Sequence, residues 1–193
     1  MTHPRIVTGI YVRSFNPIHE GHTRLGEALC DMGLVDELWF MVSPQNPLKV
    51  NDELLADEER LRLARMALAD SPRIQVSDFE FGLPRPSYMV HTLEQLSLAY
   101  PGREFVLVIG ADNWQRFPRW YRHEQILQRH RIIVYPRPGY PLPHLPEGVT
   151  VAHTPLIPYS STDIRDHIRK GTFHGEGLHP AVWKEIQLKG HYR

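Results

Sequence analysis

E-F-V-L-V-I-G, residues 104–110, is the stretch whose reading decides the fold. Phe105 to Ile109 are apolar without interruption, whereas a strand with one face in water alternates apolar and polar residues. A strand of this kind is covered on both faces, as in a parallel sheet. Upstream, a helix over roughly 88–99 stops at Pro101. Before it come a short strand R-I-Q-V-S and a helix that Asp57 could cap, running to about Ala69. The strand E-L-W-F-M-V (37–42) and the loop S-P-Q-N-P-L-K precede that helix. At the start, residues 5–11 form a strand and T-R-L-G-E-A-L-C-D-M-G a helix. There Leu25, Ala28, Leu29 and Met32 share a face, and Gly33 suits the terminating position. Downstream follow a helix near 122–129, the strand R-I-I-V-Y, the turn P-R-P-G, a strand at 149–152 and helices near 161–170 and 180–189.

This β-α-β-α alternation implies an α/β fold: a doubly wound, Rossmann-like parallel sheet with helices on both faces and C-terminal helices closing the site. No repeat or linker interrupts it, so one domain over 1–193 is expected. Lys+Arg and Asp+Glu balance at 22 each, which gives no global field for nucleic acid or an anionic membrane. Cys30 is the single cysteine, which excludes an intramolecular disulfide framework and a multi-cysteine zinc site. The apolar runs are too short to span a bilayer, and no secretory signal is evident. A soluble, cytoplasmic protein is expected.

Ligands of such sheets bind at the carboxyl ends of the strands. The first strand ends in S-F-N-P-I-H-E-G-H, which places His19 and His22 around Gly21 at a helix start. Zinc would ask for H-E-x-x-H, and here the spacing is i, i+3 with no obvious third ligand. The pair could simply cap the helix. Alternatively, free N–H groups and the positive dipole end attract a phosphate, two imidazoles donate to it, and Gly21 leaves it room. After the last strand, Y-S-S-T-D-I-R offers Ser160, Ser161, Thr162 and Arg165. Ser160 with Asp163 fits a capping box, and the hydroxyls with the planar arginine fork also fit a triphosphate cradle. In G-A-D-N-W-Q-R-F-P-R-W, Asp112 could accept from ribose hydroxyls while Trp114 and Trp120 offer aromatic faces; each could equally cap a helix or fill the core. Lys49 points at a phosphate or at solvent, and Ser87 is the expected cap of the third helix. Two helix starts, an acid and aromatic planes along one sheet edge favour a nucleotide enzyme.

The motifs H-E-G-H and S-S-T-D-I-R together resemble the nucleotidylyltransferase superfamily. With W-F-M-V-S-P-Q-N-P-L-K, R-P-S-Y-M-V-H-T-L, V-L-V-I-G-A-D-N-W and V-Y-P-R-P-G in order between residues 9 and 165, the chain resembles the bacterial nicotinate mononucleotide adenylyltransferase family of NAD biosynthesis. The resemblance implies catalytic roles for His19, His22 and Arg165. It implies an ATP site of Ser14, Phe15, His19, His22, Gly110, Asp112, Arg137, Ser160, Ser161, Thr162 and Arg165. It implies a mononucleotide site of Asn16, Lys49, Ser87, Tyr88, Met89, Asn113, Trp114 and Trp120. The implied substrates are ATP and nicotinate mononucleotide, with Mg²⁺ carried on the phosphates rather than by protein side chains, and without nucleic-acid or membrane partners; self-association into a homo-oligomer is left open. The rival acceptors are nicotinamide mononucleotide and phosphopantetheine, and a different class is a regulator that binds nucleotides without turnover. Three positions depart from the family pattern. Val12-Arg13 replaces a small residue and a glycine, Met89 a threonine, and Leu48 a histidine. A glycine at position 13 would permit positive φ, so Arg13 is expected to strain the turn and impair the site; with an extended backbone its guanidinium would instead swing outward or contact a phosphate.

Overall fold

Ile6–Arg13 (β1) and Arg103–Gly110 (β4) lie side by side in parallel, from Ile6 opposite Arg103 to Ile10 opposite Leu107. This geometry comes from a computed structural model that describes residues 5–48 and 51–193. Glu37–Val42 (β2) pairs with the other edge of β1, and Ile74–Ser77 (β3) lies outside β2. Beyond β4 come Ile132–Tyr135 (β5) and Val149–Val151 (β6). All pairings are parallel, in the order β3-β2-β1-β4-β5-β6. The order reverses between β1 and β4, so a crevice opens beyond their carboxyl ends, at Arg13–Ser14 and Gly110.

Both faces of the sheet are covered, which is why 105–109 can be apolar throughout. Val106 and Val108 pack on one face with Tyr11, Phe40 and Ile133. They meet the helices Glu20–Asp31 (α1), Asp57–Ala67 (α2), Ser161–Arg169 (α6) and Pro180–Lys189 (α7). Phe105, Leu107 and Ile109 pack on the other face with Ile10, Trp39 and Val134. They meet Met89–Ala99 (α3), Ala111–Arg116 (α4) and His123–Arg129 (α5). The helix α1 approaches closely: a Cβ on Gly26 would lie 2.8 Å from Ile74 Cδ1 and 3.1 Å from Leu38 Cδ2. Among the described residues no helix is long and apolar enough to cross a membrane.

Several local expectations are corrected. The helix α1 starts at Glu20 rather than Thr23, because His19 caps it. Gly33 does follow its end, at φ +69°. Asp57 is not a cap: Ala56 holds that position, and Asp57 is the first helical residue. Ser87 does not cap α3 either, since Tyr88 precedes the helix and no side chain closes its first turn. The short α4 was not expected, and its six residues are too few to register a period.

Candidate active site

The loop leaving β1 sets the geometry. Arg13 is still in the strand, opposite Val42, and has none of the positive φ expected of a glycine position. The left-handed residue is Phe15 instead, at φ 51°, with its ring buried and stacked on Phe40 at 5.2 Å. The strain expected at Arg13 is therefore absent. Beyond the loop, His19 Nδ1 accepts the Gly21 N–H at 3.0 Å, and His22 Nδ1 accepts the His19 N–H at 3.1 Å. The two rings stack with centroids 3.7 Å apart. Both histidines thus form a capping box for α1 and also line a cavity of about 300 Å³, so capping does not remove them from the cavity wall. Gly21 is needed for this: a Cβ there would lie 2.6 Å from His19 Cε1.

Accepting at Nδ1 has a chemical consequence. A neutral ring used that way carries its proton on Nε2, leaving a donor on each histidine. Burial, then Arg13 and Arg137, lowers the His19 pKa to about 3. Burial lowers that of His22 as well, assisted by His19 and the same two arginines. The pair therefore offers neutral donors while the arginines supply the charge.

On the far side of the cavity lie Ser160, Ser161, Thr162 and Arg165. Ser160 Oγ accepts the Asp163 N–H at 3.3 Å, making it the cap of α6, with no return bond from Asp163 among the described residues. Ser161 Oγ donates to the Pro17 carbonyl at 2.9 Å, and Arg165 Nη1 to the Asn16 carbonyl at 2.8 Å. The start of α6 is thereby fastened to the loop that carries the histidines. Arg165 Nε is buried without a partner. Ser14, Phe15 and Arg137 complete the wall.

Gly110 and Asp112 do not line this cavity; they sit beside it at the start of α4. A Cβ on Gly110 would lie 2.5 Å from Asp112 Oδ1, and that oxygen is buried without a hydrogen bond, 3.8 Å from Arg137 Nε. Asn113, Met89 and Trp120 line a neighbouring cavity of about 190 Å³. Trp114 lines none of these cavities and stacks on Phe117 at 5.2 Å. A third cavity, of about 180 Å³, is lined by Val12, Ser43 to Asn46, Arg85, Ser87 and Met89. Ser87 Oγ is buried there without a partner. Tyr88 is 44 % exposed and packs on Tyr121. Asn16 is turned inward: its amide donates to the Glu53 carbonyl and accepts from the Leu55 N–H and the Tyr192 hydroxyl. That side chain holds the loop rather than lining the 190 Å³ or the 180 Å³ cavity. Lys49 lies outside the described residues.

Sequence reasoning missed Arg60, which is fully buried. Its Nη1 donates to the carbonyls of Ser14 at 2.7 Å and Ser43 at 2.8 Å, and its Nε donates to the Leu55 carbonyl. Its charge is met by Asp57 Oδ1, which also accepts the Gln45 N–H. This pair ties the loops after β1 and β2 together. The spacing Asp57 to Arg60 was the available signal, but an i, i+3 ion pair on a helix usually lies at the surface.

The sequence profile described as Cytidylyltransferase-like matches residues 10–167. A probable nicotinate-nucleotide adenylyltransferase of Bacteroides thetaiotaomicron is 51 % identical over 185 residues, 95 % of this chain and 92 % of that protein. Its namesake in Bacteroides fragilis is 50 % identical over 93 % of this chain and 90 % of that protein. Among solved structures, the nicotinic acid mononucleotide adenylyltransferase of Plasmodium falciparum complexed with NaAD superposes with a TM-score of 0.79. It is 17 % identical, covers 97 % of each chain and speaks to the fold alone.

Proposed function

The chain belongs to the nicotinate-nucleotide adenylyltransferase family, and from that premise we propose that it transfers the adenylyl group of ATP to nicotinate mononucleotide, giving deamido-NAD and pyrophosphate. The observation that carries the chemistry is the pair of neutral histidines with Nδ1 occupied, facing the Ser160–Arg165 segment across one cavity at the switch point of the sheet.

An oxygen of the mononucleotide phosphate attacks the α-phosphorus of ATP, and the bond from that phosphorus to the β-phosphate oxygen breaks. The nucleophile is already anionic at neutral pH, so the protein need not remove a proton. Its contribution is alignment and stabilisation of charge on the transferring group. His19 and His22 donate from Nε2, and the N-terminus of α6 with Arg165 receives the triphosphate. Among the described residues no group of three or more His, Cys, Asp or Glu is placed to hold a metal ion. The proposed reaction takes Mg²⁺ in with the substrate, as Mg·ATP.

The acceptor side supports an acid rather than an amide. The helix α3 has no side-chain cap, and Ser87 and Met89 at its start line the 180 Å³ cavity, where the Ser87 hydroxyl is unpartnered. Such a helix start favours a carboxylate. Pyrophosphate release with ATP and Mg²⁺ tests this. Nicotinate mononucleotide should give a kcat/KM at least about tenfold above its amide, one charge-assisted hydrogen bond's worth. Equal values would remove the acid preference, and turnover only with phosphopantetheine would overturn the acceptor class.

A further inference from the structure

Arg13 is the last residue of β1, and it stands in the wall between two cavities. Tyr11, Arg13 and Tyr135 line both the 300 Å³ cavity that holds the histidines and the 190 Å³ cavity of Met89, Asn113 and Trp120. Its neighbour Val12 lines the 190 Å³ and 180 Å³ cavities. The partition between the nucleotide side and the acceptor side is therefore built from Val12 and Arg13 together with Tyr11 and Tyr135. Of the three shared residues, the two phenols are paired with each other, hydroxyl to hydroxyl at 3.4 Å. Arg13 is the only cation among them.

The other arginines nearby each stand within 4 Å of a carboxylate. Arg165 donates to the Asn16 carbonyl and stands 3.7 Å from Glu53. Arg137 stands 3.8 Å from Asp112. Arg60 is saturated by three carbonyls and Asp57. Among the described residues Arg13 makes no ion pair and no side-chain hydrogen bond. A half-buried guanidinium left in that condition is provided with an anion by whatever enters the cavity. The histidines are neutral, so they do not supply this charge.

We infer that Arg13 is a catalytic residue: its guanidinium contacts the phosphates at the point where the two substrates meet, holding together two groups that repel each other and stabilising the charge on the transferring α-phosphate. This rests on the adenylyl-transfer function proposed above. It also reverses the impairment expected from the sequence, because the strand conformation removes the strain on which that expectation stood.

The test compares the wild type with Arg13→Gln and Arg13→Lys, after checking that all three share one melting temperature. With ATP, Mg²⁺ and nicotinate mononucleotide, Arg13→Gln should lower kcat by about 10²-fold, the scale for losing one donor to a developing charge. Arg13→Lys should recover part of that loss. Turnover of Arg13→Gln equal to or above the wild type would overturn the inference. Should the wild type transfer to no acceptor, the proposed function fails, and Arg13 is then judged by calorimetry with Mg·ATP alone. A weakening of about tenfold or more in Arg13→Gln supports the contact, and unchanged affinity overturns it.

Discussion

At Gly21 a single methyl group would meet the His19 ring, at 2.6 Å from Cε1 and 2.8 Å from Nδ1. Gly21→Ala should therefore turn the imidazole away from its cap and lower kcat by about tenfold or more, with at most about 1 kcal/mol of stability lost with the cap. Steady-state turnover and urea unfolding measure the two separately, and full activity in Gly21→Ala would show that the ring's placement is unimportant. The same ring makes the free protein acid-sensitive. Its ordinary pKa of 6.5 falls to about 3 in the fold, so the unfolded chain binds a proton that the folded chain refuses between those values. Stability is then fully present above pH 6.5 and is lost as the pH falls, by roughly 2 kcal/mol at pH 5 for this group alone. His19→Asn keeps an acceptor at the cap and should flatten that slope; equal slopes in both proteins would contradict the assignment. Residue identities at the strand ends were legible from sequence, since His19, His22, Ser160–Thr162 and Arg165 do line one cavity. Their tautomers and bonds were not, because those depend on which backbone N–H each ring meets.

Between residue and fold, the elements are joined by polar bonds that no period in the sequence announces. Asp57 and Arg60 on α2 hold the carbonyls of Ser14 and Ser43, which follow β1 and β2. Arg60→Met would leave the Asp57 carboxylate to Arg85, at 3.2 Å, and three carbonyls without the donor they share. A loss of about 3–5 kcal/mol in chemical denaturation is expected, the scale for breaking a buried pair. A loss below about 1 kcal/mol would place Arg60 in water rather than in the core. Element types were read correctly from apolar patterning. Ends were read less well: α1 begins three residues early because a histidine occupies a capping position usually held by Ser, Thr, Asp or Asn. Asp57 reads as a cap by composition, yet its carboxylate serves Gln45 and Arg60 instead.

Over the whole molecule, the strand order brings segments from opposite ends of the chain to one crevice. β1 and β4 are central neighbours, so the loop at Ser14–His22 and the helix start at Gly110 are adjacent; the segment at 160–165 closes on the first through Ser161 and Arg165. The apolar run at 105–109 carried the parallel sheet, because only a strand covered on both faces can omit polar residues altogether. What the run could not carry was the division of the crevice into the 300 Å³ cavity of the histidines and two smaller cavities, which depends on where Val12, Arg13 and Met89 lie in three dimensions. The central claim is that the acceptor's own phosphate attacks the α-phosphorus. It is tested most directly by nicotinate mononucleotide labelled with ¹⁸O in its phosphate, incubated with the protein, unlabelled ATP and Mg²⁺, with both products analysed by mass spectrometry. Deamido-NAD retaining all of the label, with unlabelled pyrophosphate, is the predicted result. Label in the pyrophosphate, or no dinucleotide at all, would contradict it.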